Sequence, residues 1–194
     1  MIRRAFLMML LPLLVSFAAP SLAQPVTVEA VAFEPTTTVG GQSLTLNGAG
    51  LRTRLFFKVY AAGLYVPQKS ADPSALLAQT GPRRVSIGML RDVDAATFAA
   101  SLLEGLKANH TEEQLATLKA QIDQLLATLK AVGEAKKGDS IQLDFVPATG
   151  TQLIVNGQPR GEPIAGDALY TALLRIWLGD KPADASLKKA MLGR

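Results

Sequence analysis

Apolar residues recur at every second position in the first half of the mature chain, at every third or fourth position in the middle, at every second again from Ile141 to Val155, and at helical spacing towards the end. That order of periods limits the possible folds more than any single motif does. Val26, Val28 and Ala30 alternate with Thr27 and Glu29, and Leu44 and Leu46 flank Thr45. Alternation of this kind sets one face of a strand against a core and the other toward water. Val39-Gly40-Gly41 supplies a turn between the two segments. Leu55 to Val66 is rich in aromatic and β-branched residues, and Val85, Ile87 and Met89 alternate after the break at Gly81-Pro82. About four sheet segments are expected before residue 91.

The period then lengthens. Asp94 is placed to cap a helix whose apolar residues Phe98, Leu102 and Leu106 recur every four positions. Thr111 and Gln114 form a capping-box pattern that opens a second helix. In that helix Leu115, Leu118, Ile122, Leu125, Leu129 and Val132 fall at alternating spacings of three and four. This narrow seam packs inside its own domain or pairs helices between subunits, so helix 112–132 is the candidate surface for a homo-oligomer.

Sheet character returns with Ile141, Leu143 and Phe145, followed by a turn at Thr149-Gly150. Leu153 and Val155 lead into Asn156-Gly157, a strong hairpin signal. Leu169, Leu173, Leu174 and Trp177 mark a helix stopped at Gly179, and residues 186–192 read as a short terminal helix. Strands, then helices, then a hairpin and more helices predict an α+β domain, an antiparallel sheet with helices layered on one face.

Residues 1–23 carry Arg3 and Arg4, an apolar run broken by Pro12, and a small-x-small ending at Ser21-Leu22-Ala23. That is the pattern of a signal peptide cut before Gln24. The run is shorter than the roughly 20 apolar residues of a membrane span, so no transmembrane anchor is expected. The chain has no cysteine, which excludes disulfides and a lipidated N-terminus, and the expected location is periplasmic or secreted. Without Arg3 and Arg4 the net charge falls from +4 to +2, too little to argue for a nucleic-acid partner.

Most familiar site chemistry is missing from the sequence. With one histidine, His110, and no cysteine, no zinc site or Cys-His pair can be assembled, and no metal or cofactor is expected. His110 sits at a helix junction, where a C-terminal capping role suits it. Gly48-Ala49-Gly50 reads as a turn and not a dinucleotide loop, because Thr53 stands where a third glycine belongs. Glu112, Glu113, Asp92 and Asp94 all lie at helix starts, where negative charge complements the dipole.

The segment Arg52 to Tyr60 is the exception. Taken as one strand, it puts Arg52, Arg54, Phe56, Lys58 and Tyr60 on one face and Thr53, Leu55, Phe57 and Val59 on the other, a core face. The mixed face is either solvated, with basic stems lying over the rings, or holds one arginine in a cleft where its fork grips an anionic oxygen.

Gly48-Ala49-Gly50-Leu51-Arg52, followed by Lys58-Val59-Tyr60-Ala61-Ala62-Gly63-Leu64-Tyr65-Val66, resembles the signature of the chalcone isomerase superfamily, in the form of its bacterial exported members. The run from Leu174 to Leu178 with Gly179-Asp180-Lys181-Pro182 is similar to the end of that group. The resemblance implies an open-faced β-sandwich over residues 24–194, with a ligand cleft between sheet and helices. It also implies a cofactor-free isomerase or intramolecular lyase in which Arg52, the catalytic candidate, stabilises an enolate. Other positions depart from the pattern: Tyr60 and Phe98 stand where a threonine and a tyrosine are expected, Gly105 replaces an asparagine, and Ile176 falls near a threonine. Phe98 has no hydroxyl to hold a ketone or water. The fatty-acid-binding relatives keep an arginine and a tyrosine for the carboxylate. The resemblance therefore favours a non-catalytic binder of a small apolar, fatty-acid-like ligand. Arg52 and Tyr60 would sit at the head, eight residues apart on one strand face, and Phe98, Leu102 and Leu106 along the tail.

Overall fold

The computed structural model describes residues 24–194, so the expected signal peptide lies outside the described residues. Two short strands, β1 (Val26–Val28) and β2 (Val31–Phe33), pair as a hairpin of their own. The main sheet runs in chain order through β3 (Thr36–Val39), β4 (Gln42–Arg54), β5 (Phe57–Val66), β6 (Arg83–Met89), β7 (Ser140–Val146), β8 (Gly150–Val155) and β9 (Gln158–Ile164), every neighbour antiparallel. Helix α1 (Pro73–Leu77) joins β5 to β6. Helices α2 (Ala95–Asn109), α3 (Glu112–Thr117) and α4 (Lys119–Val132) join β6 to β7, and α5 (Asp167–Leu178) and α6 (Ala185–Met191) end the chain. The sheet is curled and covered by helices on one face, the α+β arrangement expected. None of the described helices is long and apolar enough to cross a membrane.

Alternation along the strands sorts the two cores. In β5, Tyr60, Ala62, Leu64 and Val66 point to the helices, while Ala61 and Tyr65 join Phe33, Val39, Leu44 and Leu46 beneath the β1–β2 hairpin. The strand is therefore buried on both faces, which is why its run reads as almost continuously apolar. Val39-Gly40-Gly41 turns as expected, with Val39 opposite Gln42 and both glycines at positive φ. Asn156 and Gly157, also at positive φ, close the β8–β9 hairpin. Asp94 caps α2 by accepting from the Thr97 N–H at 2.9 Å, the Thr111–Gln114 capping box forms, and His110 is the C-cap of α2.

Several expectations are corrected. Six strands precede residue 91 instead of four, because Glu29 turns at positive φ and splits the first segment, and Thr36–Val39 forms a further strand against β4. The helix from residue 112 is interrupted at Leu118, and its seam faces inward: Leu118, Ile122, Leu125 and Leu129 belong to this chain's own core. Gly48-Ala49-Gly50 is not a turn but the middle of β4. Its glycines are required by close approach, since a Cβ at Gly48 would overlap the Ala190 carbonyl oxygen and one at Gly50 would come within 2.5 Å of the Ala190 Cβ. The adjacent Asn47 bulges out of register. Its buried amide donates to Met191 O at 2.7 Å and Ser70 O at 3.0 Å and accepts from the Ser70 N–H at 2.8 Å, tying α6 and the loop after β5 to one point.

Replacing Gly50 with alanine or valine must push α6 off β4. We expect losses of about 1–3 kcal/mol, larger for valine, read as a lower urea midpoint with unchanged slope.

Candidate functional site

Arg54 is opposite Phe57, so β4 and β5 reverse on Leu55 and Phe56 alone, and Leu55 takes a positive φ of 57°. The single strand expected from Arg52 to Tyr60 does not exist. Its supposed core face is open to water, with Leu55 at 84% and Phe57 at 57% exposure, and Phe56 at the tip is 97% exposed. Arg52 and Tyr60 nonetheless share a face, as register partners on adjacent strands instead of residues on one. Beyond that pair the register skips Val59, a bulge that resets the alternation, so that Phe57, Val59 and Tyr60 all turn toward the helices.

Between sheet and helices they line a cavity of about 310 Å³. Its floor is apolar, with Ile87, Met89, Ile141 and Leu143 from the sheet, and Phe98, Leu102, Leu125 and Leu129 from α2 and α4 close it above. All four residues expected to bind a ligand, Arg52, Tyr60, Phe98 and Leu102, line this one space. Leu106, expected beside them, is instead fully buried in the core and does not line it. Gly105 and Ile176, at the two substituted family positions, are packed together, since a Cβ on Gly105 would lie 2.8 Å from Ile176 Cγ2. Where the family pattern calls for an amide and a hydroxyl, this chain has a methyl group against a glycine.

Two polar side chains, Arg52 and Tyr60, stand on the cavity wall. The indole N–H of Trp177 donates to the Tyr60 hydroxyl oxygen at 2.9 Å in the buried interior, and the hydroxyl's own proton finds no acceptor among the described residues. Burial pushes the Tyr60 phenol up, outweighing the Arg52 charge and the Trp177 hydrogen bond, which both act the other way. Tyr60 is thus a neutral donor at physiological pH. Arg52 has its guanidinium carbon 5.5 Å from the Tyr60 ring centroid. Its buried Nε has no hydrogen-bond partner, and no carboxylate among the described residues lies within salt-bridge distance of it. The strand beneath is fixed by Asp184, which accepts from the Thr53 N–H at 3.0 Å and the Thr53 hydroxyl at 3.1 Å while capping α6. Burial raises the Asp184 carboxyl, but the Leu187 and Thr53 N–H groups outweigh it and hold the carboxyl below its ordinary value.

A second hollow of about 480 Å³ lies on the opposite face, under the β1–β2 hairpin. Its arginine is already satisfied: Arg84 grips Asp144 bidentately at 2.6 Å and donates to the Thr37 hydroxyl at 2.8 Å. The smaller, greasier cavity with an uncommitted cation is the candidate site. Among the described residues no cluster of His, Asp or Glu suited to a metal ion exists.

A family model described as chalcone isomerase-like matches residues 25–193. The chain belongs to the chalcone isomerase-like family. No curated protein matches it. Among solved structures it is similar to the fatty-acid binding protein of Arabidopsis thaliana, with a TM-score of 0.63 at 16% identity, covering 87% of this chain and 96% of that one. At that identity the likeness establishes a shared fold.

The sequence reading did not find Trp177 as the partner of Tyr60, nor the bulge at Val59. A signal for the first was present, because a buried tryptophan N–H seeks an acceptor and the core offers few. The second leaves no local mark in composition.

All three tyrosines of the chain are raised by burial, Tyr65 to about 12, Tyr60 and Tyr170 also upward. Each raised phenol contributes stability in full below pH about 10, the unfolded value, and loses it as pH rises from there. Ultraviolet titration of the native protein is expected to show almost no phenolate at pH about 10, and stability is expected to fall above it. A full tyrosinate signal at that pH in folded protein would contradict the burial of Tyr60.

Proposed function

We propose that this protein is an exported, non-catalytic binder of a small apolar molecule with an anionic head, fatty-acid-like in kind. The observation that carries the reading is Arg52, which lines a greasy cavity with no carboxylate among the described residues within salt-bridge distance. An unpaired cation in such surroundings is costly unless an anion joins it. The Arg52 guanidinium and the Tyr60 hydroxyl both carry donors, matched to a carboxylate's two acceptor oxygens. The apolar floor and the rings above it suit an alkyl or aryl tail.

A cavity of about 310 Å³ is of the size that takes a small molecule, and octanoate is a simple probe of the carboxylate-with-tail class. A fatty-acid binding protein with the same fold supports the reading. An isomerase acting through an Arg52-stabilised enolate lacks its other polar partners, since Phe98, Gly105 and Ile176 offer no side-chain donor. A role in partner binding through residues 112–132 has few apolar side chains left for it, because the seam is consumed in the core.

Calorimetric titration with octanoate is the direct test. Arg52→Gln removes a charge-assisted hydrogen bond of about 1.5–3 kcal/mol, so the dissociation constant is expected to rise roughly tenfold to hundredfold. Octanol, which has no charge, should lose much less. Equal octanoate affinity in both proteins would remove the basis of the proposal.

Export rests on residues 1–23. Expressed in a secreting cell, the protein recovered from outside the inner membrane is expected to begin at Gln24 on N-terminal sequencing; protein retained inside with Met1 intact would rule the leader out.

A further inference from the structure

The β4–β5 tip is costly to the fold that carries it. A two-residue hairpin turn with positive φ at its first position favours glycine or asparagine there, yet Leu55 occupies it. Leu55, Phe56 and Phe57 are consecutive and exposed, and the described residues hold only one other exposed large hydrophobic, Val26. Scattered exposed apolar residues need no explanation, but a concentrated group on a projecting corner does. Phe56 is 97% exposed, and Phe57, on the cavity rim with the Arg91 guanidinium 4.9 Å from its ring centroid, is still 57% exposed.

We propose that this tip is a membrane-docking element that seats the cavity against a lipid surface through its apolar side chains. Three cations frame it. Arg54 and Lys58 flank it in sequence with side chains 56% exposed, and Arg91 stacks on it. Glu29 pairs with Lys58 at 2.9 Å and Glu104 lies 3.8 Å from Arg54. Asp92 and Asp94, which accept the Lys137 and Thr97 N–H groups, add two more carboxylates, so the charge around the tip is close to balanced and its apolar side chains are what it offers. Bulky apolar side chains on a projecting turn are suited to inserting at a headgroup boundary.

The shape favours a bilayer over a protein. A stable protein interface takes about 800 Å² from each partner, and one turn with three large side chains, at roughly 150–250 Å² for an aromatic residue, does not supply it. A bilayer demands no matching surface. Leu55, Phe57, Arg54 and Arg91 also line the cavity, so docking brings its opening to the lipid. Entry of the ligand from the bilayer rests on the function proposed above; the docking does not.

Flotation with vesicles decides the matter, comparing phosphatidylcholine alone with phosphatidylcholine containing phosphatidylglycerol. The chain is expected to float with both kinds of vesicle, with little dependence on salt, because the apolar turn carries the binding. Phe56→Asn, which suits the turn and touches no cavity wall, should reduce binding by about tenfold while leaving Tm and octanoate affinity in solution unchanged. Phe56→Trp should retain it. Absence of flotation, or a Phe56→Asn protein that floats as well as the parent, overturns the proposal. A second copy or a protein partner seated on the tip would give the first of these results, the second copy also appearing as a dimer that Phe56→Asn dissolves. If octanoate fails to bind while flotation depends on Phe56, the ligand reading falls and the docking stands.

Discussion

Arg52 and Tyr60 meet because β4 and β5 reverse within two residues and pair in a register that sets one directly opposite the other. Antiparallel partners lie about 4.5–5.5 Å apart at Cβ, close enough for the guanidinium to rest against the phenol ring. The bulge at Val59 then turns three consecutive-side positions of β5 inward instead of two, and the hollow opens there. Both its chemistry and its mouth belong to one hairpin. The helices contribute the roof and, through Trp177, the hydrogen bond that orients the phenol.

The opposite end of the same hairpin is built for close contact. Gly48 and Gly50 admit α6 against β4, Asn47 bolts its end, and Gly63 and Gly88 leave room on the other face for Phe33 and Val31, whose side chains a Cβ would meet at 2.7 and 2.6 Å. A strand gripped on both faces over half its length moves little. The site therefore stands on a rigid base, while the tip that opens it projects beyond all packing.

Much of this was legible in residue order, and the gaps have physical causes. Val85-Ile87-Met89 and Ile141-Leu143-Phe145 announce their strands because one face of each is buried. Asp94, Thr111-Gln114 and Asn156-Gly157 carry local hydrogen-bond or dihedral signals that tertiary packing has no reason to override. The failures lie where the local signal was false. Gly-Ala-Gly usually marks a turn, and only the position of Ala190, far along the chain, reveals it as a landing site for a helix. Leu55-Phe56 holds a turn with residues that elsewhere extend a strand, so alternation ran straight through it. The four site residues were identified by family likeness; their convergence on one cavity required the register and the bulge, neither of which spacing encodes.

Burial alone does not make an arginine a site, and Arg83, more deeply placed than the half-buried Arg52, shows why. Arg83 is fully buried, with its guanidinium 4.8 Å from the Phe145 ring and 5.1 Å from that of Tyr170. It pairs with Asp167 at the start of α5 and donates to Gly81 O at 3.2 Å, and although its Nη1 has no acceptor, it lines no cavity. Its charge is balanced from within, and its work is to join β6 to α5. Arg52 has the ring but not the carboxylate, and it has empty space beside it. An aromatic face returns only about 0.5–2 kcal/mol of what it costs to desolvate a cation, so Arg52 keeps more capacity for a further acceptor than Arg83, whose carboxylate is already in place.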